Sequence, residues 1–289
     1  MIRSEYGQTR LRSSATLDGN DQWTVGRAIV MYQQFRSLHV PGEPLVLANA
    51  WDAGSARLIA AAGVAAVATT SAGVAWSLGV PDGEKLGRAD MLGVVRRVVK
   101  AVDLPVTADI ESGYAEDLDG VARSVTEFKD AGVVGINFED AWHGGPETLR
   151  PISEQAARIG AVRKAAGADL FVNARVDTYL LSTGDLADTI ARAAAYLDAG
   201  ADGVFVPGLT DVGVLKGLVA EVDGPVNVMA GPGAPSVAAF AEVGVARVSL
   251  GASLAAAAYG FARRAATEAV TVGTYEWAVE SSDFGLLQR

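Results

Sequence analysis

The sequence predicts an α/β protein, a (β/α)8 barrel of the TIM type. Three observations carry that expectation. From Leu45 onward, short apolar runs of strand length alternate with Ala-rich stretches of helical periodicity. Eight such runs fall within about 205 residues. An Ala-Gly or Val-Gly step at Gly63, Gly132, Gly200 and Gly244 precedes the next run, as a left-handed helix cap would. Strict alternation implies parallel strands, which need helical crossovers. Eight units favour a closed barrel over a doubly wound sheet.

Taken in order, residues 1–22 are polar and mixed, and read as a flexible tail or a processing remnant. Residues 23–289 read as one barrel domain with a C-terminal helical extension. The stretch 24–38 is an extra amphipathic helix ahead of the barrel, and Gly42 and Pro44 break the chain after it. The strand runs are LVLANA from Leu45, VAAVATT from Val64, PVTAD from Pro105 and VVGINF from Val133, then LFVNA from Leu170, DGVFV from Asp202, PVNVM from Pro225 and ARVSL from Ala246. Runs this apolar suit strands buried on both faces. Between them, Ala89–Val102, Leu118–Ala131, Ser153–Ala166, Asp185–Ala199 and Pro235–Val243 have helical spacing. Ala252–Gln288 adds two helices, more than closure requires.

Composition narrows the function. The 289 residues contain no cysteine, which excludes a disulfide scaffold, a thiol nucleophile and any Cys-ligated metal centre. Two histidines, His39 and His143, leave little room for a multi-His metal site. A net charge of −10 argues against a nucleic-acid partner, which needs clustered Lys and Arg. The N-terminal stretch has no apolar signal-peptide core, and no uncharged apolar run reaches membrane-spanning length. The expectation is a soluble cytoplasmic protein without a membrane partner.

In such barrels the active site gathers where the strand C-termini meet their loops. The predicted strand ends carry Asn49 to Asp52, Thr70 and Ser71, Asp109 and Glu111, Asn137 to Asp140, Asn173 to Asp177, and Asn227. Asp82 lies in the long loop after strand 2. Asp109 and Glu111 are two residues apart, so on extended chain they point the same way. Carboxylates converging on one mouth repel one another unless a cation neutralises them, and all-oxygen donors favour a hard cation such as Mg2+, with Mn2+ as the alternative. The competing reading is that each acid pairs with a nearby Arg or Lys, or caps a helix. Arg175 would clamp a substrate carboxylate with its fork, or else form a structural ion pair with Glu139 or Asp177. Thr70, Ser71 and the backbone N–H groups beside them would stabilise a developing oxyanion. His143, in the loop AWHGGPETLRP, would belong to a gate over the site, or be a solvated loop histidine. Trp51 and Trp76 near the mouth read as packing, and Gly231-Pro232-Gly233 reads as a turn.

The segments LANAWDAGSARLI, TTSAG…SLGVPD, ADIESGYAED, INFEDA and VNARVD, in that order across Phe35 to Arg264, resemble the isocitrate lyase/phosphoenolpyruvate mutase superfamily. That resemblance implies a Mg2+-dependent barrel acting on small 2-oxo or 2-hydroxy acids through an enolate-type oxyanion. It matches the family's Asp-x-Asp to Asp109 and Glu111, the second position altered to Glu. It places Asp82 and Glu139 in the metal shell and gives Arg175 the substrate carboxylate. The family's oxyanion segment falls near Thr70, Ser71 and Ala72, and Ser71, Ala72 and Arg175 are expected to bind substrate together with Asn227 at the end of strand 7. Family members commonly form homotetramers in which the last barrel helix is exchanged between subunits, so a dimer or tetramer is expected.

The departures are as informative. The lyases' Cys-bearing loop is replaced by Ala141-Trp142-His143-Gly144-Gly145. Their Glu after strand 6 is Pro207 here, and Met229 and Ala230 follow Asn227 in place of polar residues. The mutases' gating loop with Lys and Asn is also missing, leaving Tyr114, His143 or a water as proton carriers. Three functions stay open: a Mg2+-dependent lyase cleaving a C–C bond of a 2-hydroxy acid to release a 2-oxo acid; a phosphonate mutase or hydrolase, or a 2-oxo-acid decarboxylase; and a non-catalytic barrel binding a small acid. A phosphonate would need a cationic cradle, for which Lys85, Arg88 and Arg150 are candidates.

Overall fold

The structure is a computed structural model that describes residues 19–280 and 284–288. Its order is α1 (Gly19–Ser37), β1 (Leu45–Ala50), α2 (Ala53–Ala61), β2 (Val67–Thr69), α3 (Ser71–Ser77), α4 (Arg88–Ala101), β3 (Val106–Asp109), α5 (Leu118–Asp130), β4 (Gly135–Glu139) and α6 (Ile152–Ala166). There follow β5 (Phe171–Arg175), α7 (Leu186–Asp198), β6 (Gly203–Val206), α8 (Val212–Glu221), β7 (Val226–Met229), α9 (Val237–Glu242), β8 (Arg247–Ser249), α10 (Ser253–Thr271), a 3-10 turn at Glu276–Glu280, and α11 (Phe284–Leu287). All neighbouring strands pair in parallel, and β1 pairs with β8 to close the barrel. The expected tail lies outside the described residues up to residue 18, while 19–22 belong to the first turn of α1.

Each strand run of the sequence became a strand, and most of the helices between them, α4 and α6 excepted, start on side-chain caps. Asp52, Asp117, Asp185, Asp211 and Ser236 each accept a hydrogen bond from the first turn of the following helix. The element unforeseen in sequence is α3, nested directly after β2, with Thr70 as its cap.

Strand alternation divides the interior into two cores. Outward residues such as Ile136 and Phe138 on β4 pack with Val95, Val125 and Phe128 beneath the helices. Inward residues Leu45, Leu47, Ala68 and Phe171 pack with Tyr32 and Phe35 of α1, which plugs the N-terminal end. Above that plug the barrel turns polar. Asn173 donates to Asn137 Oδ1 at 2.9 Å, and the buried Arg247 reaches the same oxygen at 3.2 Å. Ser249 accepts from Arg247 Nε at 3.2 Å and donates to Asn227 Oδ1 at 3.2 Å. These groups hydrogen-bond one another, which a polar layer in a low-dielectric interior requires. No helix among the described residues is long and apolar enough to cross a membrane.

Candidate active site

The C-terminal mouth of the barrel gathers the acids. Asp109 ends β3, and its Oδ2 accepts the Ser71 hydroxyl at 2.9 Å. Asp82 reaches the same cavity as Ser71 and Asp109 from the loop between α3 and α4. Glu111 follows β3; it accepts the Glu84 N–H at 2.5 Å and the Tyr114 hydroxyl at 3.1 Å. Glu139 ends β4, with Oε1 2.6 Å from His143 Nε2 and Oε2 2.5 Å from Arg175 Nη1. The second contact lies off the line of a hydrogen bond, since Oε2 has no aligned donor. Arg175 ends β5; its Nε donates to Asp177 at 2.6 Å, and its Nη1 is 3.9 Å from Asp109. The two readings of Arg175 therefore coincide: it is ion-paired with both predicted partners and still lines the cavity.

The backbone around these acids is bent into a sparsely populated region. Glu84, Glu111 and Tyr114 have φ of +56°, +50° and +57°. Such conformations cost about 1–3 kcal/mol each and cluster at functional sites. At Gly113, φ is +93° and a Cβ would come within 2.9 Å of the Phe138 ring, so the turn between Glu111 and Tyr114 demands glycine.

Burial and crowding set the charge states. Burial, then the charges of Glu139 and Asp109, push Glu111 up to about 8. Burial and Asp109 raise Asp82 as well. Burial raises Glu139 although Arg175 opposes it, and the hydrogen bond to Glu139 raises His143. Burial opposes the charge of Arg175, but Asp177, then Glu139 and Asp109, hold its pKa well above the usual arginine range. The nearest donors, on Glu111, Glu139 and His143, lie within 4.8 Å of one another. Acids that hold protons this far above their ordinary range favour any cation that replaces those protons. The oxygen-rich donor set fits a hard divalent ion.

A second network, which the sequence did not disclose as functional, braces the first from behind. Asp140 accepts from the Asp177 N–H at 2.9 Å, from Tyr196 at 2.8 Å and from Arg192 at 3.0 Å. Burial pushes Asp140 up to about 6. Glu84 is the other residue missed in sequence. Its Oε1 accepts from Ser112 Oγ at 2.8 Å, from the Ser112 N–H at 3.1 Å and from the Tyr114 N–H at 2.9 Å. A loop glutamate carries no sequence signal for this role.

Two adjoining cavities of about 360 Å³ each open at the mouth, and both reach Ser71, Asp82 and Arg175. The first extends toward β6–β8 and also touches Thr70 and Ala72. The second lies beneath the hairpin that carries His143, where Ala141 bridges Leu149. His143 is therefore neither free in solvent nor remote: it sits half-buried between Glu139 and the Asp82 loop, 3.5 Å from where a Cβ on Gly83 would stand. Asn227 is not brought to the cavity. It faces the barrel interior one step below Met229, fully buried and bonded to Ser249. The candidate phosphonate cradle does not assemble. Arg150 is buried against Glu116 and Glu154, Arg88 pairs with Glu127, and Lys85 is exposed. Trp51 packs against the core and Trp76 is exposed.

The phosphoenolpyruvate phosphomutase family profile matches residues 35–270. An uncharacterized protein of Mycobacterium tuberculosis is 42% identical over 218 residues, which cover 75% of this chain and 81% of that protein. The 2-methylisocitrate lyase of Bacillus subtilis is 33% identical over 178 residues, 60% of this chain and 58% of the lyase. A solved structure from Burkholderia cenocepacia J2315 has a TM-score of 0.86 at 39% identity, covering 91% of this chain and 96% of that one. The structure of 2,3-dimethylmalate lyase, described as a PEP mutase/isocitrate lyase superfamily member, has a TM-score of 0.78 at 25% identity, covering 91% and 93% of the two chains.

Proposed function

This chain belongs to the phosphoenolpyruvate phosphomutase family, whose members are enzymes acting on small organic acids, and we propose that it is a Mg2+-dependent lyase that breaks a C–C bond of a small 2-hydroxy or 2-oxo acid and releases a 2-oxo acid. The observation that supports this reading best is the set Asp82, Asp109, Glu111, Glu139 and Arg175 converging on one mouth, with Asp82, Glu111 and Glu139 pushed toward protonation. These four acids would hold Mg2+, or Mn2+, directly or through water. The ion supplies Lewis-acid stabilisation of negative charge on the substrate's oxygens.

The chain's own groups supply the rest. Arg175, fixed by Asp177 and Glu139, presents a permanent positive charge to the substrate carboxylate. Thr70, Ser71 and Ala72 line the cavity where the 2-oxygen would lie, and the Ser71 hydroxyl, which donates to Asp109 in this structure, would turn to that oxygen as charge develops. For a 2-hydroxy acid, the hydroxyl loses its proton and the adjacent C–C bond breaks. The hydroxyl carbon becomes the new carbonyl carbon, and the departing carbon, which needs a neighbouring carbonyl or carboxyl group to spread the charge, takes the electron pair and then a proton; in a 2-oxo acid the 2-oxo group does this for C3. His143, held by Glu139 at the edge of the second cavity, is positioned to carry that proton. The hairpin above it excludes water. A phosphonate reaction is less well supported, since Arg175 is the one Lys or Arg among the described residues lining either cavity. A homo-oligomer is part of the proposal: α10 buries Ala255 and Ala265 but leaves Tyr259 and Val270 exposed.

The test is thermal unfolding with oxalate, which imitates the planar enolate of a 2-oxo acid, with and without Mg2+. A ligand that binds the folded state alone raises the midpoint. A rise that needs both Mg2+ and oxalate and disappears in Asp109→Ala is expected. No rise at millimolar concentrations of both would sink the proposal.

A further inference from the structure

The first cavity has two unlike walls. On the β2–β5 side stand Ser71, Asp82, Asp109 and Arg175. On the β6–β8 side stand Phe205, Pro207, Met229, Ala252 and Ala256, with Leu180 of the loop after β5 beside them and the small Ser249 and Ser253 among them. The boundary between them is physical: the Arg175 guanidinium lies 6.0 Å over the Phe205 ring. Met229 lies across Gly251, where a Cβ would meet its sulfur at 2.5 Å, so the thioether is seated by a glycine with φ of +53°. The polar groups at the cavity floor are already engaged. Asn49 donates to the Thr69 carbonyl and accepts from the Leu250 N–H, while Asn137 and Ser249 serve Asn173 and Arg247. Arg247 itself is fully buried below this floor and does not line the cavity.

We propose that the substrate is a 2-oxo acid with one carboxylate head, bound at Arg175, and an uncharged, largely apolar remainder, bound against Phe205, Pro207 and Met229, so that the electron pair of the broken C–C bond falls to the carbon beside the 2-oxo group. This rests on the reading of the mouth as a 2-oxo-acid site. A second carboxylate on the β6–β8 wall would be stripped of water with no cation to meet it, which is costly. An alkyl group there is favoured instead, by roughly fourfold in affinity for each buried CH2. The N-terminus of α10, at Ala252 and Ser253, is the feature of that wall that would favour an anion, so dicarboxylates are the probes that decide the matter.

Midpoint shifts in Mg2+ measure the affinities of oxalate, of 2-oxobutyrate, 2-oxopentanoate and 2-oxohexanoate, and of oxaloacetate and 2-oxoglutarate. Expected is a rise of about fourfold per added CH2 along the alkyl series until the cavity fills. 2-Oxoglutarate should fall about tenfold or more behind 2-oxopentanoate, the five-carbon monocarboxylate. Met229→Lys should reverse the ratio of those two affinities within the variant. If 2-oxoglutarate or oxaloacetate matches or exceeds the alkyl acids in the wild-type protein, the inference is overturned while oxalate binding leaves the lyase reading standing. If oxalate fails to bind, the lyase reading and this inference fall together.

Discussion

At the N-terminal end of the barrel, Phe35, His39 and Phe171 form an aromatic cluster, with the His39 ring stacked on Phe171 at 4.1 Å. At the C-terminal end, Glu111 and Glu139 are as deeply buried, but among charges. Burial acts on both ends by the same physics, since it disfavours whichever form is charged. At the floor it pushes His39 down to about 3, so the ring stays neutral and stacks. At the mouth it pushes Glu111 up to about 8, so the site is left wanting positive charge. Strain follows the same division: of the left-handed non-glycine residues among those described, Glu84, Glu111 and Tyr114 stand at the mouth, and the fourth, Ser182, lies in the loop after β5. One end of the barrel packs neutral rings together, and the other crowds acids beside two open cavities.

The most forceful way to break that division is to change one residue at each end. Phe35 is wholly buried, and Phe35→Ala is expected to cost about 3–5 kcal/mol, a fall of about 10 °C in the unfolding midpoint. Protein that remains folded should keep its Mg2+-dependent oxalate affinity within a few-fold. Glu111→Gln should do the reverse. Removing one of several crowded acids leaves the midpoint unchanged or raises it, while the oxalate shift in Mg2+ falls by at least tenfold. A Glu111→Gln protein that is strongly destabilised yet binds oxalate normally would erase the distinction between the two ends.

The proportions of this division were partly visible in sequence, for reasons that differ by residue. The strands were legible because a strand buried on both faces is apolar throughout, and because glycine caps such as Gly132 punctuate the helices. Asp109, Glu111, Glu139 and Arg175 were legible as neighbours because strand order brings strand ends to one mouth, whereas Asp82, in a long loop, was singled out by the family resemblance. Buried charge was not legible: Arg247 on β8 and Arg158 on α6 read as surface residues until their partners are known. His39 has the same opacity, and so does Asn227, whose depth depends on the polar layer across the barrel. The helix α3 was hidden because seven residues are too few to show a period.

Titration sharpens the comparison at intermediate size. The His39 pKa falls from 6.5 to about 3 on folding, with burial as the main cause and the charge of Arg247 as the second. The unfolded chain then binds the extra proton between those values, so the stability His39 contributes is present above about pH 6.5 and is lost as pH falls toward 3. Glu111 works oppositely in the metal-free protein. Its folded pKa lies above the ordinary value of 4.5, so its contribution declines as pH rises toward 8. Unfolding midpoints of wild type and His39→Gln should therefore diverge in acid, by at most about 1.4 kcal/mol per pH unit, with the wild type losing more. Parallel curves for the two proteins would refute the neutral buried histidine.

The smallest expected effect belongs to Glu84, and it tests whether the strain at the mouth is organised. Its backbone N–H holds Glu111, while its carboxylate gathers Ser112 and Tyr114, so one residue ties the Asp82 loop to the turn after β3. A charged acceptor contributes about 1.5–3 kcal/mol where a neutral one contributes about 1. Glu84→Gln keeps one oxygen acceptor and loses the charge, so a loss of about 1–2 kcal/mol is expected, a few degrees in midpoint. A merely structural tie would stop there. A residue that sets the distance between Asp82 and Glu111 must also weaken Mg2+-dependent oxalate binding, by about threefold to tenfold, with Glu84→Asp recovering less than Gln because its shorter arm cannot span the two loops. An oxalate affinity unchanged across both variants would reduce Glu84 to a stabilising contact and leave the left-handed turn at Glu111 self-supporting.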